Sequence, residues 1–82
     1  MDERTKQILA LGREHYEKRE FDKAEAKYLE ILKMDENNVS TLTDLAAIQV
    51  ELGKYDKAET TVKKAMSLSQ DDARAYSILG YL

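Results

Sequence analysis

Apolar residues recur along the chain at spacings of three and four positions, and this spacing places them on one face of a helix. The first such stripe begins with Ile8 and Leu11, which we expect to face the core together, with His15 next along it. Stripes on the second and fourth helices run to Met34 and Leu68. The spacing is helical and lacks the alternation that is typical of strands. The pattern predicts helices near residues 3–18, 21–34, 39–52, 55–68 and 73–82.

Polar residues separate these stripes and provide the signals that begin and end helices. Asn38 ends an acidic and polar run, and we expect its side chain to accept a hydrogen bond from an early amide of the third helix. Gly53 follows Leu52 and is expected to take the left-handed conformation that ends a helix. The polar run at residues 70–72 resembles the earlier break, so the fifth helix is predicted to begin at Ala73.

The chain repeats itself with a shift of 34 residues, because FDKAE at positions 21–25 returns as YDKAE at positions 55–59. The same shift of 34 also aligns, without a gap, a large residue, a leucine and a small residue near the start of each unit, and an alanine further on. The aligned sets are Ile8, Leu42 and Tyr76; Leu11, Leu45 and Leu79; Gly12, Ala46 and Gly80; and Ala24 and Ala58. This agreement indicates that one structural unit is used twice and begun a third time.

The period and these motifs resemble the tetratricopeptide repeat, a helix–turn–helix unit of 34 residues. The family's opening of a large residue, a leucine and a small residue matches the aligned sets, and its aromatic–Asp–x–Ala turn matches residues 21–24 and 55–58. Arg19 departs from the pattern. The family has a glycine at this position of the repeat, and the second unit keeps it as Gly53. The resemblance covers about residues 5–82.

The resemblance implies an all-α fold of antiparallel helix–turn–helix repeats, stacked as a short right-handed α-solenoid. The expected organisation is an N-terminal extension at residues 1–4, one repeat at 5–38, a second at 39–72 and the first helix of a third at 73–82. Such a fold is built to present a surface to another protein, so it implies an adaptor or scaffold rather than an enzyme.

Composition narrows the classes of function. Apolar residues make up 43% and charged residues 35% of the chain, which fits neither a disordered nor a membrane protein. The net charge of −3 gives little support for binding nucleic acid, and it fits poorly with a rival helical repeat of similar length that binds RNA. We expect no nucleic-acid and no membrane partner. The lack of a signal or transmembrane segment favours a cytoplasmic location.

Few residues offer catalytic chemistry. His15 is the only histidine, and its place on the inward side of the first helix favours packing over general acid–base catalysis. The acidic pairs at residues 35–36 and 71–72 do not match the spacing of a calcium loop, and cysteine is absent. We expect no enzymatic activity, no cofactor and no metal site.

In the resembling family, the first helices of the units line a concave surface that binds peptides or proteins. The resemblance implies that this face carries apolar side chains with a few charges, suited to a segment with apolar anchors. Its expected residues are Leu9, Arg13 and Tyr16 in the first unit; Thr43, Asp44, Ala47 and Val50 in the second; and Arg74, Ser77, Ile78 and Tyr81 in the third. The alternative is that some of them only pack against neighbouring parts of the array.

One subset of that family holds the C-terminal carboxylate of chaperone tails with Lys, Asn and Arg side chains. The corresponding positions here are Leu9, Arg13, Asp44, Arg74 and Ile78. Leu9 and Ile78 carry no donor, and Asp44 would repel a carboxylate. We therefore expect no carboxylate clamp for chaperone tails.

The final segment, ARAYSILGYL, opens a third unit and is unusually apolar for a terminal helix. Two interpretations compete. The chain is a piece of a longer array, or this helix meets another copy of the chain in a homo-oligomer. The residues expected at such an interface are Tyr76, Ile78, Leu79, Tyr81 and Leu82.

Overall fold

The computed structural model describes residues 2–82 and contains five α-helices in that range. They are α1 (Glu3–Glu17), α2 (Phe21–Met34), α3 (Val39–Glu51), α4 (Tyr55–Leu68) and α5 (Ala73–Tyr81). Each boundary lies within one residue of its predicted position, and the all-α fold is confirmed. Met1, part of the predicted N-terminal extension, lies outside the described residues.

The first helix of each unit begins at a capping side chain. Asp2 accepts a hydrogen bond from the Thr5 N–H at 2.8 Å, and Asn38 accepts one from the Thr41 N–H at 3.1 Å, as predicted. Asp72 caps α5 in the same way. A side-chain cap of this kind is typically worth about 1 kcal/mol. The predicted repeat boundaries at residues 38 and 72 stay predictions, although each falls at a capping residue.

The helices pack as two helix–turn–helix pairs followed by a single helix. α1 packs on α2 and α3 on α4, while α2 joins the pairs through α3, and α5 packs mainly on α4. A first core cluster joins α1, α2 and α3, and a second joins α3, α4 and α5. The first contains Ile8, Ala24, Tyr28, Ile31, Leu45 and Ile48; the second contains Ala46, Val62 and Ala75.

Small residues set how closely the helices approach. Ala24 and Ala58 are fully buried at equivalent positions of α2 and α4. Gly12 is buried too, and a Cβ atom placed there would lie 3.1 Å from Cε1 of Tyr28. Small residues therefore allow close contact between neighbouring helices at Gly12, Ala24 and Ala58, whereas a Cβ atom at Gly80 would meet nothing within 4 Å.

Three predicted core positions are wrong. Ile8 is buried, but Leu11 on the same stripe is 44% exposed, and Met34 and Leu68 are also exposed. Leu45, the repeat counterpart of Leu11, is only 3% exposed because it lies in the cluster that α2 shares with α3. Within residues 2–82 no earlier helix covers α1, so Leu11 has no equivalent neighbour.

The turns inside the two pairs have the same backbone hydrogen bonds. In the first, the N–H of Arg19 bonds to the carbonyl of Tyr16 at 3.0 Å and the N–H of Glu20 to that of His15 at 2.8 Å. The second turn repeats this pattern around Gly53. Both are Schellman motifs, which place one residue in the left-handed region. Gly53 has φ 76° and Arg19 has φ 61°, so Arg19 carries strain that Gly53 avoids.

Two single substitutions at these positions, Arg19→Gly and Gly53→Arg, are expected to change stability in opposite directions. Arg19→Gly should raise the free energy of unfolding by about 0.5–1 kcal/mol, because relief of strain exceeds the added freedom of the unfolded chain. Gly53→Arg should lower it by a similar amount for the same reason. Urea unfolding at 25 °C measures both changes. Equal or lower stability of Arg19→Gly would contradict the strain assigned to this turn.

Candidate partner-binding groove

The first helices of the three units, α1, α3 and α5, line two adjoining cavities on one face of the protein. The first has a volume of about 600 Å³ and the second about 420 Å³. Ala47 and Ile78 line both, so the cavities form one continuous surface, which we call the groove. The other lining residues are Arg13, Tyr16, Glu17, Tyr28, Asp44, Ala73, Arg74 and Ser77 in the first cavity, and Val50, Glu51, Tyr55 and Tyr81 in the second.

Most residues predicted for the binding face line the groove, but Leu9 and Thr43 do not. Leu9 is half-buried and packs against the first core cluster. Thr43 is fully buried, and its hydroxyl donates to Oδ2 of Asp72 at 2.7 Å. These two side chains therefore face the protein interior, while the binding role of the others stays a prediction.

Sequence reasoning missed several lining residues. Glu17 and Glu51 lie 34 residues apart at the ends of α1 and α3, so the repeat itself would have paired them. Tyr28 comes from a second helix and fits against the surface that Gly12 leaves open. No spacing rule for first helices would have indicated it. Tyr55, the first residue of α4, was indicated by the sequence only as the aromatic residue of the repeated turn motif.

An ion pair crosses the floor of the groove between α3 and α5. The guanidinium of Arg74 donates to Oδ1 of Asp44, and this bond raises the pKa of Arg74 above its ordinary value. The Asp44 side chain is 14% exposed, whereas that of Arg74 is 59% exposed. Oδ2 of Asp44 is buried and has no hydrogen-bond partner among residues 2–82. Asp44 is thus the better buried, and incompletely bonded, member of the pair.

Tyr28 adds a neutral hydroxyl group to the same cavity. Burial raises the pKa of Tyr28, the charge of Asp44 raises it further, and the charge of Arg13 opposes the rise. The phenol therefore stays protonated at neutral pH and can donate a hydrogen bond. Tyr28 is almost fully buried, so it contributes little area to the groove surface.

Asp72 fixes the position of α5, which forms one wall of the groove. Besides accepting from Thr43, its carboxylate accepts hydrogen bonds from the N–H groups of Arg74 at 3.0 Å and Ala75 at 3.3 Å. The hydrogen bond from Thr43 is the main reason that the pKa of Asp72 lies below its ordinary value. Two adjacent residues of α3, Thr43 and Asp44, thus hold the first turn of α5.

The wall formed by α1 is supported by an aromatic contact. The rings of Tyr16 and Phe21 meet edge to face, with centroids 5.5 Å apart. Because Phe21 begins α2 and is half-buried, it holds the Tyr16 ring in place while leaving much of it exposed. Such an aromatic surface suits an apolar side chain of a partner.

His15 has a partner that the sequence analysis did not assign. Its Nδ1 atom lies 3.0 Å from Oε1 of Glu20, across the turn between α1 and α2. Lys23 also contacts this carboxylate, at 3.3 Å. His15 lines neither cavity of the groove, so the pair connects the two helices rather than facing a substrate pocket.

In residues 2–82 no group of three or more His, Asp or Glu side chains is placed to hold a metal ion. Within the same range no helix combines the length and apolar character needed to cross a membrane.

Apolar side chains remain exposed along α5 outside the groove. Tyr76 is 51% exposed and Leu82 39% exposed, and neither lines the two cavities. Leu79 is half-buried against the second core cluster. Tyr81 is 71% exposed and belongs to the groove as well. Helix α5 therefore contributes to two apolar surfaces, which are the groove and the exposed side chains outside it.

Comparison with known proteins finds related sequences and structures. A family model described as tetratricopeptide repeat matches residues 15–80. The Hsp70-Hsp90 organizing protein of Triticum aestivum is 33% identical over 60 residues, which make up 73% of this chain and 10% of that protein.

Solved structures share the fold over almost the whole chain. The crystal structure of MamA protein superposes with a TM-score of 0.91 at 36% identity, covering 99% of this chain and 44% of that one. The Arabidopsis OM64 TPR domain superposes with a TM-score of 0.89 at 26% identity, covering 94% and 64%. The chain thus spans about a tenth of the curated relative and less than half of MamA.

Proposed function

This chain belongs to the tetratricopeptide repeat family, a family of protein-interaction modules, and from that membership we propose that its groove binds a segment of a partner protein. The observation that carries the proposal is the groove itself, formed by the first helices of three successive units. Its role is that of an adaptor or scaffold, without catalysis of its own.

The surface chemistry of the groove supports a peptide ligand. Tyr16, Ala47, Val50, Ile78 and Tyr81 provide apolar and aromatic area. Ligand pockets combine such area with a few polar groups that fix orientation. An extended or helical segment with two apolar anchors fits this arrangement, with one anchor for each cavity.

Filling the groove is expected to weaken peptide binding. Peptides would be selected from a random dodecapeptide library on the wild-type chain and tested on Ala47→Gln. Ala47 is chosen because it lines both cavities. The added side chain should weaken selected peptides about tenfold or more, the effect of about 1.4 kcal/mol of lost contact. Ala26→Gln, at an exposed position on α2 outside the groove, is the matched control. Peptides that bind all three proteins equally would place the binding site elsewhere.

We propose that the groove does not hold the carboxylate of chaperone tails. Arg74 is already engaged by Asp44, and Leu9 packs toward the core. A short acidic peptide with a free C-terminus should bind at about 1 mM or more weakly, measured by fluorescence anisotropy. Micromolar binding that Arg13→Ala removes would overturn this part of the proposal.

A second candidate function is self-association through the outer side of α5. The exposure of Tyr76 and Leu82 outside the groove favours it, since exposed apolar area tends to be covered in an assembly. Light scattering over a concentration series should then show a dimer that Tyr76→Lys returns to monomer. Because Tyr76 lines neither cavity, this variant should keep peptide binding. A monomer at every concentration would exclude the second candidate.

A further inference from the structure

The most buried charge in the groove is the carboxylate of Asp44, and its bonding is incomplete. Oδ1 accepts a hydrogen bond from Arg74, but Oδ2 is buried and lacks a donor among residues 2–82. An ionised carboxylate is expensive to bury when its oxygens are not fully hydrogen-bonded. The floor of the groove therefore favours any ligand that brings a donor to this position.

Of the remaining charges of the groove, only that of Arg13 opposes this preference. Arg13 and Glu17 lie one turn apart on α1, are both exposed and carry opposite signs. Glu51, at the end of α3, is exposed as well. Exposed charges are screened by water and salt, whereas a buried carboxylate acts through a medium of lower dielectric constant. Asp44 consequently has the largest effect on which ligand charge is accepted.

Arg74 covers this carboxylate in the free protein. It is held to the floor by its bond to Asp44, and more than half of its side chain is exposed. Rotation of this long side chain into solvent restores the hydration of its guanidinium but costs the energy of its bond to the mostly buried Asp44 carboxylate. An incoming cation would regain that energy at Asp44. Arg74 thus behaves as an internal stand-in for a ligand.

We propose that the groove selects a segment carrying an arginine or lysine beside an apolar anchor, and that this cation replaces Arg74 on Asp44. The proposal rests on the peptide-binding function proposed above and adds the chemistry of the partner. A guanidinium is the better match, since its several donors can reach both carboxylate oxygens at once. Tyr16 and Ile78, on opposite walls of the same cavity, receive the neighbouring apolar residue.

Selection from a random dodecapeptide library tests this chemistry through the composition of the peptides recovered. Wild type, Asp44→Asn and Arg74→Ala would be compared. Peptides selected on wild type should be enriched in arginine and lysine. Their affinity should fall about tenfold or more with Asp44→Asn, because one charge-assisted hydrogen-bonded contact is lost. Their affinity should rise with Arg74→Ala, because the competing internal cation is gone.

The expected changes in peptide affinity have opposite signs for the two variants, and this distinguishes a role in recognition from a role in stability. Both substitutions break the same ion pair, so a purely structural pair would give effects of the same sign, and thermal unfolding records their common loss of stability. Enrichment of acidic peptides, or equal binding by all three proteins, would overturn the inference while leaving peptide binding by the groove intact. Failure to select any peptide would overturn both.

Discussion

Replacing Ile48 by alanine is expected to lower the free energy of unfolding by about 2–5 kcal/mol. Ile48 is fully buried in the first core cluster, where α3 meets the helices of the first pair. Truncation removes apolar contacts and leaves a cavity that the surrounding helices fill only in part. A domain of this size has a total stability of about 5–15 kcal/mol, so the change removes a large share of it.

Urea unfolding followed by circular dichroism measures this loss. Leu29→Ala is the matched control, since Leu29 is 44% exposed on α2 and should change stability by less than about 1 kcal/mol. If Ile48→Ala is unfolded in buffer, Ile48→Val should still show a loss of about 0.5–1.5 kcal/mol. Equal stability of Ile48→Ala and Leu29→Ala would show that this cluster does not hold the repeats together.

Enlarging Ala24 is expected to be nearly as damaging as deleting core volume. Ala24 is fully buried in the first core cluster, on the face of α2 that packs within the repeat. Ala24→Leu adds three carbon atoms at this contact and should cost about 1–3 kcal/mol by forcing the helices apart. Differential scanning calorimetry should show this as a lower melting temperature, by about 4–8 °C for each kcal/mol lost.

The same helix supplies the control for this experiment. Ala26 is exposed two residues along α2, and leucine is nearly as good a helix former as alanine. Ala26→Leu should therefore leave the melting temperature almost unchanged. A similar loss in both variants would mean that the effect arises from leucine in α2 and not from the close approach that Ala24 permits.

Most of the architecture could be predicted from the sequence because local and periodic signals agree. Asn38 and Gly53 mark a helix beginning and a helix end through their own backbone and side-chain chemistry. The repeat adds a check, since an element found in one unit is expected in the next. This is why the helix bounds were right. Most of the groove residues could be named in advance because the resemblance to the tetratricopeptide repeat implied that first helices line the binding face.

Some features could not be predicted from the sequence, because equivalent positions of the repeat pack against different neighbours. Leu11 and Leu45 occupy the same place in the repeat, yet only Leu45 has a helix packed over it. Likewise, nothing in the spacing indicated that Asp44 would pair with Arg74, since those positions are occupied by Ala10 and Ser40 at the preceding junction. The pairing of these two charges, and the unbonded Oδ2 of Asp44, therefore had to come from the three-dimensional structure.

The shallow attachment of α5 has a consequence for motion. Among residues 73–81 only Ala75 is buried, and the first turn is held by side chains of α3. Native-state hydrogen exchange in this helix should then proceed by local opening that leaves the other four helices folded. Because α5 forms one wall of the groove, binding requires the docked conformer, and the apparent affinity is reduced by the fraction of molecules in which α5 is undocked.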